Sequence, residues 1–123
     1  MGDKLNVAVL GATDDPTKYA YRAMKMLEAH GYNTIPVTPT KETIDGLKAY
    51  PSLRDIPVSV DTVTVYVRPT ISAELDGDFL AVRPRRVIFN PGTENPELIK
   101  VLESRGIEVK RACTLVLLHT GQF

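Results

Sequence analysis

The chain has 123 residues, and its 15 basic residues balance its 15 acidic ones. We expect residues 1–123 to form a single domain with one core, because this length leaves no room for a separate catalytic domain. The charge balance predicts no attraction to nucleic acid or to an anionic membrane. No apolar run approaches the roughly 20 residues of a membrane helix, and residues 1–5 lack the layout of a signal peptide. We therefore predict a cytoplasmic protein that neither spans nor coats a membrane.

Metal ligands are also scarce. The chain has one cysteine, Cys113, and two histidines, His30 and His119, which are far apart in sequence. A structural zinc site takes four such ligands, and a disulfide takes two cysteines. The sequence therefore predicts no metal site and no internal disulfide.

Apolar or β-branched runs alternate with stretches of helical periodicity along the chain. The predicted strands are residues 7–10, 32–37, 61–67, 87–90 and 107–109. The first predicted helix buries Ala20, Ala23, Met24 and Leu27 and ends at Gly31. A second, weaker helix is predicted over 70–82, and a third begins at Asn95-Pro96 and ends at Gly106.

The segments between these elements carry further signals. Asp15 before Pro16 predicts the N-cap of the first helix, with Thr17 as the alternative. Residues 42–57 read as a connection with one helical turn that begins at Pro51. The tail, residues 113–119, is apolar enough to need covering by the body of the domain, by a second copy in a homodimer, or by a partner protein.

This alternation predicts an α/β protein with a three-layer, Rossmann-like fold. We expect a five-stranded parallel sheet in the order 3-2-1-4-5, with helices on both faces. In such sheets the ligand binds outside the carboxyl ends of the strands, at the switch point beside strand one. The loops that follow Gly11, Val37 and Val67 should converge there, and the loop after Phe89 should lie close by.

The first of these loops has the layout of a phosphate site. Residues 7–10 form an apolar strand that ends at Gly11, and a helix follows within a few residues, which aims peptide N–H groups at one point. An NAD-type loop would carry glycine at the positions of Thr13 and Pro16. The second strand also ends without the Asp or Glu that holds a ribose, and no Walker loop occurs in the chain. These features favour a phosphate-rich ligand other than NAD.

An ordered set of motifs over nearly the whole chain resembles the stand-alone CoA-binding domain family. The motifs are Gly11-Ala12-Thr13 with Pro16, Gly31-Tyr32, Pro36-Val37-Thr38-Pro39, Gly46, Tyr50-Pro51-Ser52-Leu53, Ile56-Pro57, Val60-Asp61 and Arg68-Pro69. The fold of that family is similar to the N-terminal domain of the succinyl-CoA synthetase alpha subunit. The resemblance implies a Rossmann-like domain that holds coenzyme A.

The resemblance also implies roles for individual residues. The diphosphate would lie over the Gly11 loop, the adenosine near the loop after strand two, and Lys41 would meet the ribose 3′-phosphate, a group that NAD lacks. Arg68 and Pro69 would line the opposite side of the pocket. The expected cofactor-binding residues are Gly11, Ala12, Thr13, Pro16, Thr38, Pro39, Lys41, Arg68, Pro69 and Asn90.

Other charged and reactive residues are interpreted as structural. Arg85 and Arg86 precede a strand and are expected to be solvated. Cys113 is expected to be a small buried residue, with a mixed disulfide to the CoA sulfur as the alternative.

The leading functional hypothesis is non-catalytic binding of coenzyme A or an acyl-CoA, because no nucleophile–base pair or carboxylate pair stands out. The alternatives are a small NAD(P)- or CoA-dependent enzyme and a regulatory subunit of a larger acyl-CoA enzyme.

Overall fold

The computed structural model describes residues 4–123. Residues 1–3, part of the stretch considered above for a signal peptide, lie outside the described residues. The elements are β1 (Asn6–Leu10), α1 (Tyr19–Ala29), β2 (Asn33–Val37), β3 (Thr43–Ile44), β4 (Leu47–Lys48), a 3₁₀ helix (Leu53–Asp55), β5 (Thr62–Val65), α2 (Pro69–Ser72), α3 (Asp76–Val82), β6 (Arg86–Phe89), α4 (Pro96–Ser104), β7 (Glu108–Arg111) and α5 (Thr114–His119). No helix in this described part is long and apolar enough to cross a membrane.

Five of the strands form one parallel sheet in the order β2-β1-β5-β6-β7. Its central strands β1, β5 and β6 are buried on both faces, as expected for parallel strands between two helical layers. The remaining strands, β3 and β4, form a two-stranded antiparallel hairpin in the connection after β2. The predicted α/β class and the five-stranded parallel sheet are confirmed.

The strand order differs from the expected 3-2-1-4-5 at one position. The third strand of the sheet, β5, pairs with β1 and not with β2, which gives 2-1-3-4-5 in chain order. Pro36 lies inside β2, and a proline lacks the donor that a central strand needs, so β2 suits the edge of the sheet. The outer side of β2 pairs with the Tyr50 segment through hydrogen bonds from Thr38 N to Tyr50 O at 2.9 Å and from Tyr50 N to Pro36 O at 3.0 Å.

Helices cover both faces of the sheet, as predicted. Val7 and Val9 of β1 pack toward α1 and α5, while Ala8 and Leu10 pack toward α3 and α4. This alternation follows from the two-residue period of a strand. The buried face of α1 is the predicted one: Ala20, Ala23, Met24 and Leu27.

Two predicted helical features are corrected. The stretch 70–82 forms two helices, α2 and α3, because the chain turns at residues 73–75 so that α3 buries Phe79 and pairs Asp78 with Arg54 of the 3₁₀ helix at 2.8 Å. Asp15 does not cap α1, which begins at Tyr19. Its carboxylate instead accepts from the Thr17 N–H at 2.9 Å and closes a turn ahead of the helix.

Arg85 is exposed, as expected, but Arg86 is not. Only 5% of Arg86 is accessible, its Nε donates to Thr62 Oγ1 at 3.3 Å, and its guanidinium lies 4.5 Å from the centre of the Phe123 ring. The aromatic face supplies a favourable contact for a cation that burial would otherwise destabilise. The apolar tail forms α5, whose Leu117 and Leu118 are buried within the chain.

Candidate functional site

The carboxyl ends of β1 and β5 meet at the point where the strand order reverses, which is where ligands bind in open α/β sheets. Gly11 follows β1 with φ of +92°, and a Cβ built on it would lie 2.9 Å from Val67 Cγ1 and 3.0 Å from the Tyr66 carbonyl carbon. Only glycine fits this conformation at this distance. The Gly11 loop therefore lies directly against the loop after β5. We call the space at the carboxyl ends of these strands the crevice.

Some of the expected phosphate donors in this loop are already engaged. The N–H groups of Gly11 and Ala12 both donate to the Val37 carbonyl, at 3.0 and 3.1 Å. The peptide N–H groups of Thr13 and Asp14 make no hydrogen bond to any residue of the described chain. Of the three predicted loop residues, only Thr13 therefore keeps its N–H for an anion, and Asp14 adds a second donor just beyond them.

The start of α1 adds donors on the same side of the sheet. Its N-cap residue, Lys18, makes no side-chain capping bond, so the first-turn N–H groups of the helix lack a cap. Pro16 is exposed in the turn before it. An uncapped helix start that follows β1 suits an anion through its N–H groups and its dipole.

The loop after β2 lies beside the Gly11 loop. Lys41 Nζ is 3.3 Å from Asp14 Oδ2, and both side chains are about half exposed. Thr38 is buried with its hydroxyl 3.0 Å from that of Thr40, while Pro39 is exposed. The ion pair places a half-exposed cation at the rim of the crevice and offsets the charge of Asp14 there.

The loop after β5 leads into α2. Arg68 is exposed and Pro69 is half-buried at the first position of α2, where proline is favoured. Because Arg68 follows Val67, which contacts Gly11, the arginine lies on the expected side of the crevice.

Asn90, the last of the expected cofactor-binding residues, is buried and held by side-chain hydrogen bonds within the protein. It is 3% exposed, its Nδ2 donates to Thr64 Oγ1 at 2.7 Å and to Val65 O at 2.9 Å, and its Oδ1 accepts from Thr114 N at 2.8 Å. Every polar atom of the side chain is thus used to tie β5, β6 and α5 together. The residue also lines a cavity at this end of the sheet, so its contact with a ligand stays a prediction.

A cavity of about 450 Å³ opens at the carboxyl ends of β5, β6 and β7; we call it the edge cavity. Its lining residues are Tyr19, Tyr66, Asn90, Pro91, Cys113, Leu115 and Val116. Burial raises the pKa of Tyr66 to about 12, and the nearby Thr114 hydroxyl offsets only part of that effect. Among the described residues, no group has the geometry to bond the buried Tyr66 hydroxyl. The phenol is therefore neutral over the physiological pH range.

Sequence reasoning missed Tyr66 as a site residue. Its place directly after a buried strand was the available signal, because that is where parallel strands present side chains to a ligand. Cys113 is half-buried and lines the same cavity, and its reactivity stays a prediction.

The predicted site residues thus fall into two groups. Those after β1, β2 and β5 surround one crevice, while Asn90 lies in the buried network behind it. Within residues 4–123, no cluster of three or more histidine, cysteine or carboxylate side chains could hold a metal ion.

Comparison with known proteins identifies relatives of several kinds. The chain is 30% identical over 100 residues to the uncharacterized protein YneT of Bacillus subtilis. The match covers 81% of this chain and 74% of that protein. It is 40% identical over 62 residues to the alpha subunit of acetate–CoA ligase [ADP-forming] II of Pyrococcus furiosus. That match covers 50% of this chain and 14% of the subunit.

A crystal structure of an uncharacterized protein has the same fold, with a TM-score of 0.90 and 39% identity over 99% of this chain and 100% of that one. The family model described as "CoA binding domain" matches residues 5–119. The protein therefore belongs to the CoA binding domain family.

Proposed function

We propose that the protein binds coenzyme A or an acyl-CoA and does not itself catalyse a reaction on it. The observation that carries the proposal is the family match over residues 5–119, which includes every loop at the carboxyl edge of the sheet. The free N–H groups of Thr13 and Asp14 and the uncapped start of α1 fit a diphosphate, because both supply N–H donors for an anion.

Under this proposal the loops divide the ligand between them. The N–H groups of Thr13 and Asp14 and the start of α1 bind the diphosphate, next to Gly11, Ala12 and Pro16. The loop with Thr38 and Pro39 flanks the adenine, and Lys41 leaves Asp14 to pair with the 3′-phosphate. Arg68 and Pro69 line the far side, and Asn90 holds the loop after β6 in place.

The proposal of binding without catalysis is supported by how the polar side chains behind the crevice are used. The hydroxyls of Thr64 and Thr114 lie 2.8 Å apart, and both residues are bonded to Asn90. These polar groups use their hydrogen bonds on one another. A general base, by contrast, must be within hydrogen-bond reach of the reacting group of a substrate.

Calorimetric titration with CoA, acetyl-CoA, dephospho-CoA and NAD tests the binding. We expect CoA and acetyl-CoA to bind, dephospho-CoA to bind more weakly, and NAD to give no heat. Heat with NAD and none with any CoA species would overturn the proposal.

A second measurement tests the absence of catalysis. We expect the thioester absorbance of acetyl-CoA to decay at the same rate with and without the protein. A decay rate that rises in proportion to protein concentration would instead indicate an enzyme.

A further inference from the structure

Two apolar spaces adjoin each other on the α1–α5 face of the molecule. The first is the edge cavity of about 450 Å³. The second is a groove of about 800 Å³ between α1 and α5, which we call the α1–α5 groove. Leu115 and Val116, in the first turn of α5, line both spaces, so the groove continues from the cavity.

The surface of the α1–α5 groove is almost entirely apolar. Met26 and Ala29 of α1 and Leu115 and Val116 of α5 line it. The lining also includes longer polar side chains, which can cover apolar surface with their carbon atoms: Tyr21, Arg22, Lys25, His30 and His119. Val116 is 56% exposed, so the protein leaves this apolar side chain in water when nothing is bound. Both spaces have the size of ligand-binding cavities.

The edge cavity lies next to the proposed coenzyme site. Tyr66 and Asn90, which border it, follow β5 and β6, the next two strands beyond β1. The distance from the Gly11 loop to the end of β6 is two strand spacings, or about 10 Å. The edge cavity is therefore within reach of the other arm of a ligand whose diphosphate lies at Gly11.

We infer that the physiological ligand is an acyl-CoA with a medium or long acyl chain, which lies in the edge cavity and the α1–α5 groove. This inference rests on the proposed binding of CoA. A flexible hydrocarbon chain fits because it extends a ligand already held at the crevice, and because it places only CH₂ groups against an apolar lining. The thioester then passes Cys113, and the chain passes Val116.

The test compares acetyl-CoA with octanoyl-CoA by calorimetry, after confirming that CoA itself binds. One fully buried methylene strengthens binding up to about fourfold, so six additional ones in an open groove are expected to give at least about tenfold tighter binding. The Val116→Glu variant is expected to bring the affinity ratio of octanoyl-CoA to acetyl-CoA down to about one, because a carboxylate then lies against the chain.

Val58→Glu is the matched control. Val58 is 51% exposed and precedes Ser59, whose carbonyl accepts a hydrogen bond from Asn6 at the start of β1. Val58 therefore lies near the amino ends of the strands, away from the carboxyl ends where the groove begins. This variant is expected to leave both affinities unchanged. Thermal melts of both variants check that each is folded.

Three results would overturn the inference, and they are distinguishable. Equal affinity for acetyl-CoA and octanoyl-CoA, with normal CoA binding, would reject the acyl chain while the proposed function stands. If the wild-type protein is a dimer that Val116→Glu dissociates, and the wild type binds octanoyl-CoA and acetyl-CoA equally well, the groove belongs to a second copy of the chain. No binding of any CoA species would remove both proposals.

Discussion

Gly11 is the residue on which the geometry of the crevice depends most directly. Gly11→Ala is expected to destabilise the protein for two reasons: its φ of +92° and the 2.9 Å approach of a Cβ to Val67. Gly31 is a matched control, since its φ is +87° but a Cβ there would meet nothing within 4 Å.

In urea unfolding, Gly31→Ala is expected to cost about 1 kcal/mol of left-handed strain, and Gly11→Ala about 1–3 kcal/mol more from overpacking. Equal losses would show that the contact with the loop after β5 is unimportant.

Lys41 tests recognition of the 3′-phosphate. Lys41→Ala is expected to reduce the preference for CoA over dephospho-CoA, because the cation at the rim is lost. The ratio of the two dissociation constants, measured by calorimetry, is the readout. Lys48→Ala, on the exposed hairpin strand β4, is the control. An unchanged ratio in Lys41→Ala would reject the assignment.

The first turn of α4 depends on Asn95. Its side-chain oxygen accepts from Leu98 N at 3.2 Å, and its Nδ2 donates to the buried Ser72 hydroxyl at 3.1 Å, which ties α4 to α2. Asn95→Ala is expected to lower the free energy of unfolding by about 1–2 kcal/mol. Asn95→Asp keeps the capping oxygen but lacks the donor to Ser72, so its free energy of unfolding should fall by less than that of Asn95→Ala. If the two variants are equally unstable, the cap is not the important interaction.

An ion cluster holds the amino ends of three strands together. Arg85 Nε lies 3.0 Å from Asp61 Oδ2 and its Nη1 3.5 Å from Glu108 Oε1. Burial by itself raises the pKa of Asp61, but the hydrogen bonds from Arg85 and Thr62 outweigh it and hold the pKa below its ordinary value.

Acid should therefore weaken this interaction in a defined pH range. A carboxyl group that is more acidic in the folded state stabilises the protein above its unfolded pKa, and the effect disappears as the pH falls through the lower folded value. Asp61→Asn is expected to cost about 1 kcal/mol at pH 7, and the difference should shrink below about pH 4. A difference that stays constant down to pH 2 would contradict this account.

The whole protein should respond to its ligand through the folded state. A ligand that binds only the native chain adds about 2.7 kcal/mol of stability at 100 times its dissociation constant. For a domain of this length that corresponds to a rise in melting temperature on the order of 10 °C. We expect CoA to produce this rise and NAD to produce none, in scanning calorimetry. A melting temperature independent of CoA concentration would contradict binding to the native state.

The fold and the site could be predicted from the sequence to different extents. The apolar β1 run, the buried face of α1 and the Asn95-Pro96 start of α4 are local patterns, and each has the predicted structure. The single helix over 70–82 was wrong because contacts with the distant 3₁₀ helix decide where the chain turns. The prediction that Arg86 is solvated was wrong because Phe123, 37 positions later in the sequence, covers it.

The sequence by itself determined the α/β class, the parallel sheet and the loop that begins at Gly11, because short-range periodicity and backbone conformation encode them. The family resemblance likewise pointed to a CoA-binding domain. Only the tertiary structure decided that β5 pairs with β1, that Val37 occupies the Gly11 and Ala12 donors, and that α5 forms an apolar groove with α1. These features join residues far apart in the chain, and such pairings depend on packing that no local pattern records.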